Sequence, residues 1–310
     1  MERTNRSPSN SPEAAERFRR SLYESPDHQP GQHELNEGEN TQSWLTAAQE
    51  GFRRFERSYR DGDVHWKRFL TQTTLGKELQ AVFLGVKPLM TIYRHEIHDE
   101  QMVDMILRNA KDDLSVLDLR PMGYGLRIFS EKNVDKVLKA HPYYFPTYDS
   151  ASSISSYLSE LGRQPVTQQP EHLDIQRGLL HGFPLQASEA FPKYQEARNT
   201  LFDLIEAFPE NSEKKHFLQK YFDTRNYNDV NAFRDTNQKE MREILNTHLP
   251  SMPEDAKQHI LNLRYIHAPG ILYVSDRPTS PENQTLIQRV RNIFQFSGMN
   301  DFLQTIGILF

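Results

Sequence analysis

The segment Arg177-Gly178-Leu179-Leu180-His181-Gly182-Phe183-Pro184 constrains the folding of this chain more than any other stretch. Gly182 suits the left-handed position that closes a helix, where a residue with a Cβ is strained. Phe183 can fold back on the preceding turn, and Pro184 has its φ fixed close to the value needed to start the next helix. The segment therefore predicts two helices meeting at a tight corner, whose apolar faces must be buried against other elements.

Periodicity supplies those elements. Trp44, Ala48, Phe52, Phe55 and Tyr59 recur at threes and fours and predict a helix from Thr41 to Asp61. Shorter helices follow around Trp66–Leu70, Gly76–Val82 and Asp99–Asn109. Pro88–Tyr93 reads as a buried strand, and Leu114–Leu119 with Leu126–Phe129 as a hairpin. Ser130, with Asn133 reaching back, is expected to cap a helix over Glu131–Ala140.

From about residue 150 the pattern turns helical, with helices expected at Ser153–Leu161, Glu171–His181, Leu185–Phe208 bent at Pro192, Asn211–Phe222, Asp229–Leu249 and Glu254–Arg264. Ile271–Val274 reads as a late strand, and Ser280-Pro281-Glu282 opens a helix with a cap, a first-turn proline and an acid suited to the dipole. A strand at 271–274 needs partners, so it is expected to join the sheet formed before residue 130. The fold class expected is helix-rich α+β: a small mixed or antiparallel sheet, with a helical section at about 150–265, in a single domain over residues 41–310.

Composition sets the remaining bounds. Residues 1–40 are rich in Ser, Pro, Asn, Glu, Gln and Arg, which bury too little surface to offset the entropy of ordering, so a disordered tail is expected. Within it, Glu13–Tyr23 carries Phe18 and Leu22 among Arg17, Arg19 and Arg20, the pattern of a short segment that folds on a partner. With 37 basic and 42 acidic side chains the net charge is −5, without long single-sign blocks, so no strong nucleic-acid signal is present. In Phe52-Arg53-Arg54-Phe55 and Arg289–Phe294, helical spacing places aromatics and arginines on different faces.

The longest apolar run, Ala81–Val86, is far short of the roughly 20 residues of a membrane span. No signal peptide is recognisable and there are no cysteines, so no disulfide or thiolate chemistry is available. These features point to a soluble, cytoplasmic protein, and they are equally compatible with export by a route that needs no signal peptide.

Three groups of residues could carry function. Arg94, His95, His98 and Asp99 lie where the first strand ends, but the two histidines are three apart rather than the four of the zinc-protease helix. Asp276 and Arg277 follow the late strand, and Arg120 ends the hairpin's first strand beside Asp118. If those strand ends converge, Arg94, Arg120 and Arg277 would grip an anion while His95, His98 and Asp276 act as catalytic groups. Around the corner, Arg177, His181, Phe183 and Glu189 could instead line a groove for a partner.

No cofactor or metal is implied. The leading expectation is a soluble binding or regulatory protein, with a protein partner of unspecified kind docking near residues 177–194. The alternative is a hydrolase or transferase acting on an anionic or phosphorylated substrate.

Overall fold

The computed structural model describes residues 41–97, 99–123, 125–149, 152–163, 170–222 and 227–306. The chain divides into two compact units, Met1–Trp44 and Leu45–Phe310, and the account below concerns the second. The expected tail, with its Glu13–Tyr23 segment, lies outside the described residues.

Helix α1 (Thr41–Asp61) ends where its periodic pattern ends, and the rings of Phe52, Phe55 and Tyr59 meet Phe302 at centroid distances of 5.9, 5.9 and 5.1 Å. Asp63 starts α2 (Val64–Gln72) by accepting from the amides of His65 and Trp66, and Thr73 starts α3 (Thr74–Phe83) by accepting from Gly76. Strand β1 (Leu89–Tyr93) leads through a 3₁₀ turn, Arg94–Glu96, to α4 (Glu100–Ala110), which Asp99 caps at the Met102 amide, 2.7 Å away. Then come β2 (Ser115–Asp118) and β3 (Gly125–Phe129), paired antiparallel as expected, with β1 on the other side of β3.

The period of two splits this sheet's side chains between two layers. Met90, Ile92, Leu126 and Ile128 are fully buried on one face, and α3 and α4 pack against the sheet. Leu89, Leu117 and Phe129 occupy the other face. They join a core with Val134 and Leu138 of α5 (Glu131–Ala140), Leu158 of α6 (Ile154–Arg163) and Leu173 and Leu179 of α7 (Pro170–Leu180). Ser130 holds the first position before α5 but makes no side-chain cap; its backbone carbonyl accepts from the amides of Asn133 and Val134 instead.

The corner between α7 and α8 (Leu185–Ala207) has the bonding its sequence predicts. Gly182 has φ 82°, the Phe183 amide donates to the Gly178 carbonyl at 3.0 Å, and the Gly182 amide donates to Leu179 at 2.9 Å. Gly178 lets the helices cross closely, since a Cβ there would lie 2.5 Å from Ser188 Oγ. Pro192 sits inside one continuous helical span rather than ending it.

A second core joins Leu201 and Ile205 near the end of α8 to Leu218 and Tyr221 of α9 (Glu213–Tyr221), Met241 and Leu245 of α11 (Gln238–His248) and Ile260 of α12 (Glu254–Asn262). One expectation fails here. The helix expected over Asp229–Leu249 is two, α10 (Tyr227–Thr236) and α11, because Asn237 leaves helical geometry and its side-chain amide caps the Phe233 carbonyl at 2.7 Å. In the last turn of α10, Arg234 is wholly buried, donating to the carbonyls of Tyr221 (2.9 Å) and Leu263 (3.2 Å) among the rings of Tyr221, Phe222 and Tyr265.

The late strand does not join the first sheet. Strand β5 (Ile271–Ser275) pairs with β4 (Arg264–Ala268), a segment read as the end of a helix and a loop, and the two form a separate antiparallel hairpin. Gly270, at φ 71°, makes the turn and sits so close to α3 that a Cβ would lie 2.5 Å from that of Ala81. Asn231 of α10 covers the outer edge of β4, accepting from the Tyr265 amide and donating to its carbonyl, both at 2.9 Å. That side chain does the work of a third strand, which removes the need for a partner from the first sheet. Ser280 caps α13 (Pro281–Phe296), and α14 (Met299–Thr305) brings Phe302 to α1. Phe302 and Leu303 of α14 pack on the body, and 307–310 lie outside the described residues.

Candidate functional site

The corner ties the sheet to the hairpin. Phe183, half-buried, stacks on His181 (6.0 Å) and on Tyr273 of β5 (5.1 Å). Tyr273 donates its hydroxyl to Asn283 Oδ1, and Asn283 Nδ2 donates to Ser275 Oγ (3.0 Å) and the Arg277 carbonyl (2.7 Å). Asn283 begins an Asn-x-Thr triplet, yet it is 3% exposed and inaccessible to a glycan. His181 Nε2 lies 3.5 Å from Thr91 Oγ1 on β1. Enclosure of the ring, with Lys87, Arg127 and Arg177 nearby, pushes its pKa well below the usual 6.5 and keeps it neutral. Arg177 is exposed and pairs with Asp174 at 3.1 Å.

One turn into α8 the surface becomes aromatic and acidic. Glu189 accepts the hydroxyl of Tyr144, whose ring packs against Tyr143 (5.0 Å) and His172 (5.8 Å), and Tyr143 also meets His172 at 5.8 Å. The three rings lie at steep mutual angles of 56–88° and touch one another, so they form a platform rather than an open cage. Gln176, nearly buried, holds the loop in place by donating to the Tyr144 carbonyl. Tyr143 forms the platform's outer edge and is 61% exposed. Burial and the Glu189 carboxylate both raise the pKa of Tyr144, which keeps it protonated as the donor.

The platform continues onto α13. Gln186, three residues before Glu189, donates to Glu282 Oε1 at 2.7 Å. The Glu282 pKa is raised, first by partial burial and then by the nearby Glu189 charge, with Arg277 acting in the opposite sense. Two carboxylates from different helices thus converge beside three aromatic rings.

Past Arg277 the surface dips into a cavity of about 760 Å³, lined by Asn231, Asp235, Arg264, Asp276, Arg277 and Thr279 among others. Arg264 is occupied by Asp235 and by the carbonyls of Leu261 and Leu263. Asp276 Oδ2 lies 2.8 Å from His259 Nδ1. Burial alone would raise the Asp276 pKa, but the His259 bond and Arg277 outweigh it and lower the value. His259 Nε2 is buried and has no partner among the described residues.

The other sequence candidates lie elsewhere. Arg94 and His95 are exposed in the turn after β1, where His95 stacks on Tyr93 at 5.8 Å. His98 lies outside the described residues. Arg120 is clamped by Asp118 (2.7 Å) and by Glu100. None of Arg94, His95 and Arg120 lines the cavity that holds Asp276 and Arg277, because their strands belong to a different sheet. Among the described residues, no group of three or more His, Asp or Glu side chains could hold a metal ion, and no helix is long and apolar enough to cross a membrane.

Glu189 and Arg277 are legible as candidates in the sequence, whereas no local motif marks Tyr143, Tyr144, His172, Gln186, Glu282 or His259 as functional. The Tyr143-Tyr144-Phe145 run was a signal, since only Phe145 is fully buried and two adjacent tyrosines are left to the surface. Compared with models of known protein families, with curated proteins and with solved structures, the chain has no significant match.

Proposed function

We propose that this is a binding protein whose partner docks on the surface made by Tyr143, Tyr144, His172, Glu189 and Glu282. The observation that carries the reading is the Tyr144–Glu189 hydrogen bond, which locks an exposed aromatic platform to a pair of converging carboxylates. Exposed, rigid tyrosines supply large contact areas at little entropic cost, which is why they are enriched where proteins meet.

Selection of a random peptide library on the full chain tests it. Peptides should be enriched that bind the native chain and lose binding to Tyr143→Ala and to Glu189→Gln. If every enriched peptide binds both variants as well as the native chain, the surface is not the docking site.

A second reading is favoured by the cavity beside the Asp276–His259 pair: a hydrolase or transferase in which Arg277 holds an anionic group. Burial of His259 Nε2 argues against that imidazole as the base, and leaves Asp276 as the carboxylate facing the cavity. A ligand bound only by the folded form raises Tm, so inorganic phosphate should raise Tm in the native chain and not in Arg277→Gln. An equal shift in both disposes of this reading.

A further inference from the structure

We infer that the partner presents a cationic side chain, an arginine or lysine in an exposed peptide segment, to the aromatic and acidic surface of Tyr143, Tyr144, His172, Glu189 and Glu282. The inference rests on the docking surface proposed above and specifies its chemistry.

Glu189 and Glu282 come from α8 and α13, and Gln186, three residues before Glu189, brings the two helices' acidic side chains onto one surface by donating to Glu282 Oε1 at 2.7 Å. Neither carboxylate forms an ion pair with a described residue. The nearby cations are otherwise placed: Arg177 pairs with Asp174, and Arg277 lowers the Glu282 pKa only from beyond ion-pair distance. Gln186 is neutral, so its bond to Glu282 orients the carboxylate without cancelling its charge.

An arriving ammonium or guanidinium would relieve the like-charge repulsion and rest its stem on the rings of Tyr143 and Tyr144, whose faces attract cations. An acidic segment would place a third negative charge beside two that already repel. A purely apolar segment would strip water from both carboxylates without returning a partner.

The test is a fluorescence-anisotropy titration of the full chain with two labelled probes, acetyl-(Ser-Arg)₃-amide and acetyl-(Ser-Glu)₃-amide. The arginine probe should bind, the glutamate probe should not, and added salt should weaken the complex. The double variant Glu189→Gln/Glu282→Gln should lose about tenfold in affinity and Tyr143→Ala about fivefold, both without loss of native circular dichroism.

Equal affinity of the arginine probe for native chain and double variant overturns the inference, since a chain of net charge −5 would then be attracting it non-specifically. Absence of binding overturns it too. In that case the library selection separates the two claims: enriched acidic or apolar peptides that still depend on Tyr143 leave the docking surface standing, whereas no surface-dependent peptide removes both.

Discussion

Lowering the pH should destabilise the fold through His181. In the unfolded chain this imidazole takes up a proton near the usual 6.5, whereas in the folded chain its enclosure beside Lys87, Arg127 and Arg177 keeps it neutral well below that value. Over that window the unfolded state binds more protons, so the group's stabilisation is complete above about pH 6.5 and falls as the pH drops towards the folded value. The limiting slope for one group is about 1.4 kcal/mol per pH unit, so the loss from about pH 7 to about pH 5.5 is on the order of 1 kcal/mol. Other groups titrate in the same range. His267 has the same sign, being lowered by burial beside Lys77 and Arg291, while Asp113 and Glu282 are raised and act oppositely. The difference between native chain and His181→Asn isolates the effect. Urea unfolding at both pH values should show the variant losing on the order of 1 kcal/mol less than the native chain, whatever its absolute stability. Parallel losses in the two proteins would refute the claim that the ring is held neutral by its surroundings.

Three substitutions test the packing by urea unfolding. Gly178→Ala should destabilise by about 1–2 kcal/mol despite alanine's better helix propensity, because its Cβ would meet Ser188 Oγ at 2.5 Å, and adding Ser188→Gly should recover most of the loss. Arg234→Ala should cost at least about 3 kcal/mol, since it takes the Arg234 donor from the Tyr221 carbonyl, leaves Leu263 with Arg264 alone, and empties a ring-lined site; Arg234→Lys should not rescue it, as an ammonium lacks the guanidinium's fork. Asn283→Ala should cost about 2–3 kcal/mol by breaking the knot with Tyr273, Ser275 and Arg277, whereas an exposed polar residue at that position would cost almost nothing.

Local chemistry made much of the fold legible. Gly182-Phe183-Pro184, Asp61-Gly62 and Ser280-Pro281 act within a few residues of themselves, and each bounds a helix where the sequence predicts. What failed depended on long-range partners. Arg264–Ala268 carries a helix-compatible arginine and histidine, and only the side chain of Asn231, 34 residues away, shows it to be a strand edge. The break before Gln238 follows from Asn237 and the burial of Arg234, neither of which disturbs helical periodicity. The proposed docking surface draws on three separate stretches, at 143–144, 172–189 and 282, so no local pattern could have joined them. Phe183 looked like an anchor because the corner needs a ring there, and only Tyr273 shows what that ring stacks on.

Hydrogen exchange read by mass spectrometry, with the arginine probe at saturation, addresses the docking surface most directly. Slowed exchange should concentrate in segments covering Tyr143–Phe145, the first turns of α8 around Gln186–Glu189 and of α13 around Glu282, and it should vanish in Glu189→Gln/Glu282→Gln. Protection confined to other segments, such as the cavity rim at Asn231 and Arg264, would contradict the account.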